Sequence, residues 1–443
     1  EEFYLKTYDE MAERLGWCPE ALDTPYEIIE KCDVTFEFNK YQLPKYPCPD
    51  GLTPPEYLRK LTYEGLMRRY GQITDEIRER AETELKVIID MGFSEYYLIV
   101  WDFINYAISH GIPVGAGRGS GVGSIVAYAI EITNVDPLKY NLIFERFLNV
   151  NRTSMPDFDI DFCYNRRGEV IQYVKDKYGE DHISQIITFG RLKRKSAIKD
   201  VARVFRLPFS DVSKITKNIV DYGENDSKVH IKDLINPESP YAVKELIEQY
   251  NTYPTYKQVI DIAMQLEGMP RNTGMHAAGV VIYKNPALDT IPLAKNGDEV
   301  TTQFTMVEVE RLGLLKMDFL ALMTLTDVKM AHDYVLERSG VDVDFKKIGY
   351  EDPGTFELIS TGNTDGVFQL ESGGMKKFMT RLRPENMEDL IAGISMYRPG
   401  PMANIDTYLE NRKDPTQIKY KHPALEPILK VTFGIIVYQE QAM

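Results

Sequence analysis

Three aspartates alternate with bulky apolar residues in Ser154-Met155-Pro156-Asp157-Phe158-Asp159-Ile160-Asp161-Phe162. Side chains two apart on a strand point the same way, so the spacing predicts a strand over 154–162 with one apolar face and one face of carboxylates. Like charges in a row repel, and partial burial disfavours their ionised forms. A hard divalent cation such as Mg²⁺, which prefers carboxylate oxygens, relieves both costs. An amphipathic strand with its acidic face in water is the plainer alternative. A second apolar run, 312–322, carries Lys316 and Asp318 two apart and therefore on one strand face. Burying them to no purpose is costly. Either they pair with each other, or Asp318 completes the metal site and Lys316 meets a phosphate.

Two further stretches could handle phosphate. Glycines 115, 117, 119, 121 and 123 crowd the segment before the apolar run 125–130. Glycine allows tight turns and close backbone approach. A turn that opens a buried helix presents free N–H groups and the positive end of the helix dipole, which suits phosphate. Arg118 inside the turn can clamp one. No Lys precedes Ser120 or Ser124, so this is not a Walker loop, and no acidic residue completes a dinucleotide fingerprint. A glycine-rich packing turn is the alternative. The other stretch is basic: Arg191, Lys193, Arg194, Lys195, Lys199, Arg203 and Arg206 are opposed only by Asp200. Lys195, Lys199, Arg203 and Arg206 fall on one helical stripe, with Ile198, Val201, Ala202 and Phe205 on another. Such a helix can track a nucleic-acid backbone, or simply turn its charges to water.

These groups need a sizeable scaffold. The chain has 443 residues, 43% of them hydrophobic, enough for several domains. Its formal charge of −15 excludes a globally basic nucleic-acid binder, so a polyanion must meet a local basic face. The region 1–55 mixes short helical patterns with Pro-rich linker and carries no visible chemistry. The segment 54–91 is helical, with Glu76, Arg80 and Glu84 four apart on an expected solvated face. Arg146 and Arg152, shortly before the acidic strand, read on their own as surface ion pairs. The segment 218–257 is polar and acidic, expected as helix-loop-helix. His276 stands alone without a second ligand at metal spacing, so a structural or backbone contact is expected. From about residue 324 the chain is helical, and Pro399-Gly400-Pro401 fixes a turn that holds Arg398. Cys18, Cys32, Cys48 and Cys163 form no C-x-x-C pair, so neither zinc nor a disulfide framework is indicated, and a reducing cytoplasm fits. No run reaches membrane-spanning length, and no signal peptide opens the chain. Glu1 and Met443 read as cut ends of something longer.

Taken together, a phosphate-cradling turn, a carboxylate strand, a third strand carboxylate and a basic helix fit two-metal in-line displacement at phosphorus. A nuclease needs the metals but no triphosphate site, whereas a nucleotidyl transferase needs both. At this point the motifs carry a resemblance. Pro113-Val-Gly-Ala-Gly117-Arg118-Gly119-Ser120-Gly121, Phe144-Glu145-Arg146-Phe147, Met155-Pro156-Asp157-Phe-Asp159, Lys316-Met-Asp318-Phe, Phe368-Gln-Leu-Glu-Ser and Arg398-Pro-Gly-Pro resemble bacterial C-family replicative DNA polymerases, in order along the whole chain. The resemblance implies an α+β fold with a nucleotidyltransferase-like palm, a mixed sheet, an inserted helical thumb and truncated helical fingers. The corresponding ranges are 1–26 as the end of a preceding phosphoesterase-like domain and linker, 27–188 and 271–323 as palm, 189–270 as thumb, and 324–443 as fingers. It implies Asp157, Asp159 and Asp318 as ligands of two Mg²⁺ ions, with Asp161 in support. It implies Arg118, Gly119 and Ser120 as triphosphate contacts, with Arg146, Lys316 and Arg398 as further phosphate contacts. The cations Lys193, Lys195, Lys199 and Arg203 would lie against primer–template DNA, and deoxynucleoside triphosphates would be the other substrate. In a longer protein, a sliding clamp and other replisome subunits are expected partners, with no membrane. For this chain, a DNA-binding core with little or no turnover and a two-metal nuclease are the alternatives.

Overall fold

Helices begin where the sequence supplies acceptors for their first free N–H groups. Thr53 and Glu56 form a capping box at the helix Pro54–Tyr70, and Thr74 accepts from the Ile77 N–H at the helix Asp75–Asp90. Asp352, Ser372 and Asn386 cap the helices Pro353–Thr361, Gly373–Leu382 and Met387–Met396 in the same way. The structure is a computed structural model and describes residues 4–38, 40–150, 155–222, 226–345 and 347–443. Arg152 and Ser154 lie outside the described residues.

Six strands form one mixed sheet: β1 (Asp159–Cys163), β2 (Ile183–Arg191), β3 (Pro270–Ile282), β4 (Leu293–Asn296), β5 (Glu299–Thr302) and β6 (Leu315–Leu322). Their order is β1-β6-β3-β2-β5-β4. β1 and β6 are parallel, and β4 and β5 form an antiparallel hairpin. With helices throughout, this is the α+β class expected from the sequence.

The chain divides into two compact units. One comprises residues 44–185, 276–280 and 317–443. In it the helix Ser94–Ser109 is buried along most of its length, as its nearly all-apolar sequence requires. Tyr96 stacks on Phe158 with ring centroids 5.6 Å apart, and Phe103 meets Phe162 and Phe319 at 6.1 and 4.9 Å. Each such buried aromatic stabilises the fold by about 1.5–3 kcal/mol, which fixes which face of β1 turns inward. Residues 353–443 have their own core around Phe378, Met379, Met396 and Tyr408. Arg412 binds the Asp389 carboxylate at 2.6 Å across that core.

The other unit comprises 1–43, 186–275 and 281–316. Its helices Arg194–Val204, Phe209–Thr216, Lys244–Thr252 and Pro254–Leu266 close over Ile198, Val201, Ile215, Leu246, Val259 and Ile260. The polar appearance of 218–257 hid part of this core, because Val229, Ile231 and Leu234 are buried between charged neighbours. No helix among the described residues is long and apolar enough to cross a membrane.

Candidate active site

The strand at the site is shorter than its sequence pattern. β1 starts at Asp159, so Asp157 precedes the ladder rather than belonging to it. Pro156 has no N–H to donate, and the Phe158 N–H goes to the Tyr96 hydroxyl at 2.7 Å instead of to a neighbouring strand. The alternation survives this: Phe158, Ile160 and Phe162 are buried, Asp157 is exposed, and Asp159 and Asp161 are half-buried. On the other flank β6 runs parallel with Asp318 directly opposite Asp159. Asp157, Asp159 and Asp318 each offer a carboxylate oxygen, all within 4.8 Å of one another. An all-oxygen donor set at this spacing fits a hard divalent cation.

β1 has a second neighbour. Val114 bridges Phe162 in the antiparallel sense, the Gly115 N–H donates to the Asp161 carbonyl at 2.8 Å, and the Cys163 N–H donates to the Pro113 carbonyl at 3.0 Å. The glycine-rich turn is thereby laid along the carboxylate strand. Arg118 is half-exposed; its Nε is 3.6 Å from Asp159 Oδ2, and its Nη1 is 3.7 Å from Asp161 Oδ1. Both distances exceed a hydrogen bond, so the guanidinium is attracted to the carboxylates but not locked to them. Gly119 has φ of 67° and runs so close to Asp159 that an added Cβ would lie 3.3 Å from Oδ2. Ser120 opens the 3-10 turn Ser120–Gly123. Burial pushes the Asp161 carboxyl above its ordinary range, and Asp159 adds to this, while Arg118 opposes it. Asp161 takes no part in the three-carboxylate cluster.

One expectation for the turn fails. The helix behind it, Ile125–Ala129, has only five residues, and its N-terminus is already satisfied. The Ala127 N–H binds Ser124 Oγ at 3.1 Å, and the Val126 N–H binds Glu84 Oε2 at 3.2 Å. A buried carboxylate sits at the helix N-terminus, where a phosphate was expected.

The family model described as the bacterial DNA polymerase III alpha NTPase domain matches residues 56–321, and the alpha subunit finger domain matches 324–443. The chain belongs to the bacterial DNA polymerase III alpha family. It is 49% identical over 446 residues to the DNA polymerase III subunit alpha of Borreliella burgdorferi, covering 100% of this chain and 38% of that protein. The subunit alpha of Treponema pallidum is 47% identical, with 100% and 37% covered, and that of Aquifex aeolicus is 44% identical, with 97% and 39% covered. The chain therefore spans less than two-fifths of the length of these relatives.

The remaining expected residues of this polymerase-family chain are engaged in different ways. Arg146 Nη1 binds the Glu440 carboxylate. Lys316, on β6, has its ammonium 3.7 Å from Glu310 Oε1, a partner the sequence did not suggest. Arg398 is exposed, and its carbonyl accepts the Met402 N–H at 3.0 Å in the Pro-Gly-Pro turn. His276 Nδ1 accepts the Gly279 N–H at 2.7 Å, the backbone contact expected of it. In the basic region, Lys195, Lys199 and Arg203 are exposed on the helix Arg194–Val204. Lys193 precedes the helix, 3.7 Å from Asp226, and Arg203 lies 3.3 Å from Asp200. Two of the seven cations depart from expectation. Arg194 is buried and binds the Asp226 carboxylate and the Val229 carbonyl, so it holds the fold. Arg206 leaves the helical stripe, because the helix ends at Val204 and Arg206 takes φ of 55° ahead of Pro208. It nevertheless lines, with Lys199, Arg203, Leu207 and Phe209, a groove of about 450 Å³.

Sequence reasoning missed Glu84, Arg80 and Glu440. Arg80 and Glu84 were expected on a solvated face, yet Glu84 is fully buried. The signal was present: Ile77, Ala81, Leu85 and Ile88 form the apolar stripe of that helix, and Glu84 lies within it. Nothing in the sequence around Glu440 marks it as a partner of Arg146.

Proposed function

We propose that this chain is the nucleotidyl-transfer core of a template-directed DNA polymerase of bacterial chromosome replication, adding deoxynucleotides to a primer 3′-hydroxyl. The observation that carries the reading is the register of β1 on β6. It sets Asp159 against Asp318, with Asp157 in reach, beside a turn carrying Arg118. Asp157, Asp159 and Asp318 would hold two Mg²⁺ ions. When bound, these would lower the pKa of the primer hydroxyl and neutralise charge developing on the leaving pyrophosphate. The protein's own part is to hold the groups in line. Arg118, Gly119 and Ser120 receive the triphosphate, and Arg146, Lys316 and Arg398 add positive charge to its phosphates. Asp161, not grouped with the three, keeps Arg118 in place by attraction. Lys193, Lys195, Lys199 and Arg203 grip the duplex backbone, which carries no sequence information; the template supplies that by base pairing.

On this reading, 27–188 and 271–323 are palm, 189–270 thumb and 324–443 fingers. Residues 1–26 close a preceding domain. Work at the chromosome places the protein in the cytoplasm, with a sliding clamp and other replisome subunits as partners of the longer polypeptide.

Primer extension with Mg²⁺ and deoxynucleotides tests the reading. Asp159→Asn should slow extension by about 10³-fold, the effect of losing about 4 kcal/mol of metal-borne charge stabilisation. Equal extension by both proteins would sink the metal assignment. Degradation of DNA without nucleotides, lost in the same variant, would point to a nuclease instead.

A further inference from the structure

We infer that half-buried Arg80 and buried Glu84 are a positioning pair that sets the distance between the Arg118–Ser120 turn and Arg146, a role that rests on the nucleotidyl-transfer reading above. Glu84 lies in the apolar stripe of the helix Asp75–Asp90 and has no exposed surface. A carboxylate there is costly unless its oxygens are met by donors. Oε1 accepts from Arg80 Nε at 2.6 Å. Oε2 accepts from Ser124 Oγ at 2.8 Å and from the Val126 N–H at 3.2 Å. Tyr97, also buried, donates its hydroxyl to Ser124 Oγ at 3.2 Å.

The guanidinium of Arg80 does more than balance this charge. Its Nη2 donates to the Gly123 carbonyl at 2.8 Å and to the Leu142 carbonyl at 3.0 Å. Gly123 closes the 3-10 turn that Ser120 opens, and Leu142 shortly precedes the turn Phe144–Arg146. One planar group thus ties together the two segments that present Arg118, Ser120 and Arg146. The other end of the glycine-rich turn is tied separately, by Thr133 Oγ1 and the Asn134 N–H, both donating to the Ala116 carbonyl. Between these ties Arg118 and Gly119 are exposed. A guanidinium holds its donors on separate nitrogens of a rigid fork, whereas a lysine ammonium donates from a single atom and cannot span the acceptors that Arg80 reaches from Nε and Nη2. Arg80 and Glu84 touch no substrate; they act through the turn.

The test is equilibrium titration of the 443-residue chain with a fluorescent deoxynucleoside triphosphate in Mg²⁺, without primer. Terbium luminescence at the aspartates and thermal melting are read on the same samples. Arg80→Lys should weaken nucleotide binding by about tenfold, as expected for losing a charge-assisted hydrogen bond that orders a site. Glu84→Gln, which keeps the volume but only one of the two acceptor oxygens, should weaken it by about threefold. Terbium affinity should stay within about twofold, and both variants should melt cooperatively. The double variant Arg80→Lys/Arg118→Ala should lose less than the sum of its parts, since both changes act on one turn. Nucleotide affinity unchanged in both Arg80→Lys and Glu84→Gln overturns the inference. So does a loss that tracks the folded fraction and takes terbium binding with it. Arg118→Ala without effect, or no saturable nucleotide binding by the unaltered chain, overturns the underlying reading instead.

Discussion

Three carboxylates two apart in sequence end in three environments. Asp157 is exposed ahead of the ladder, Asp159 is paired across to Asp318, and Asp161 is turned toward Gly115 and Arg118. The alternating pattern with phenylalanine and isoleucine made the face legible, because period two has one physical reading in a half-buried strand. It did not make the partner legible, since register is a property of two strands. Glu84 shows the opposite failure. An arginine and a glutamate four apart have the same appearance on a wet helix face and in a buried cluster, and only the neighbouring apolar stripe separates them. The packing of the turn gives a residue-scale prediction. At Gly121 an added Cβ would fall 2.5 Å from the Phe158 ring, which is fixed by Tyr96, Tyr97 and Phe147. Gly121→Ala should destabilise the protein by about 1–3 kcal/mol through overpacking. Chemical denaturation would show a lower midpoint at an unchanged slope. An unshifted midpoint would mean that the ring has room to move.

Elements ended where local chemistry intervened. The strand expected from residue 154 begins at Asp159 because Tyr96 takes the Phe158 N–H. The basic helix ends at Val204, and the Leu207 N–H closes back on the Ala202 carbonyl at 3.0 Å. Proline at 208 made a break near there foreseeable, though not which cation would leave the stripe. The helix Met323–Ser339 starts against β1, where Thr326 Oγ1 accepts the Tyr164 N–H at 3.1 Å, and it ends at Gly340 with φ of 70°. Within its last turns, His332 Nδ1 binds Asp333 at 3.1 Å, while Nε2 reaches Asp342, beyond the helix end, at 2.9 Å. Both carboxylates accept, so the charged imidazolium suits the pair. Hydrogen bonds to Asp333, then to Asp342, hold its pKa above the ordinary 6.5. A raised folded pKa stabilises fully below the unfolded value and loses that effect as pH rises through the folded one. Amide exchange in residues 340–345 should therefore quicken as pH rises from about 6.5 through that raised value, after correction for intrinsic rates. His332→Gln should remove the extra pH dependence. A dependence surviving in the variant would assign it to another group.

For the whole molecule, charge and connectivity pull in different directions. The strands that meet at the site, 159–163 and 315–322, are separated in sequence by β2, β3, the β4–β5 hairpin and the helices between them. Composition and spacing could nominate Asp318, but pairing it with Asp159 required the folded sheet. The net charge of −15 opposes any polyanion, so the DNA binding proposed above requires a local basic face. The face proposed for it on the helix Arg194–Val204 is Lys195, Lys199 and Arg203, which are exposed, with Ala197, Ile198 and Val201 packed beneath. Among the described residues no ion pair engages Lys195 or Lys199, whereas Arg203 shares Asp200 with Arg271. Duplex binding measured over a salt series separates this face from general charge. Each cation that neutralises a phosphate adds about 0.9 to the slope of log affinity against log salt. Lys195→Ala and Lys199→Ala should each lower that slope by about this amount, with equal losses on unrelated sequences, because backbone contacts read no bases. Arg203→Ala should lower it by less, since Asp200 already competes for its guanidinium. Equal slopes in all three variants and the parent would move the DNA-binding face off this helix, leaving the Arg206 side of the groove as the next surface to neutralise.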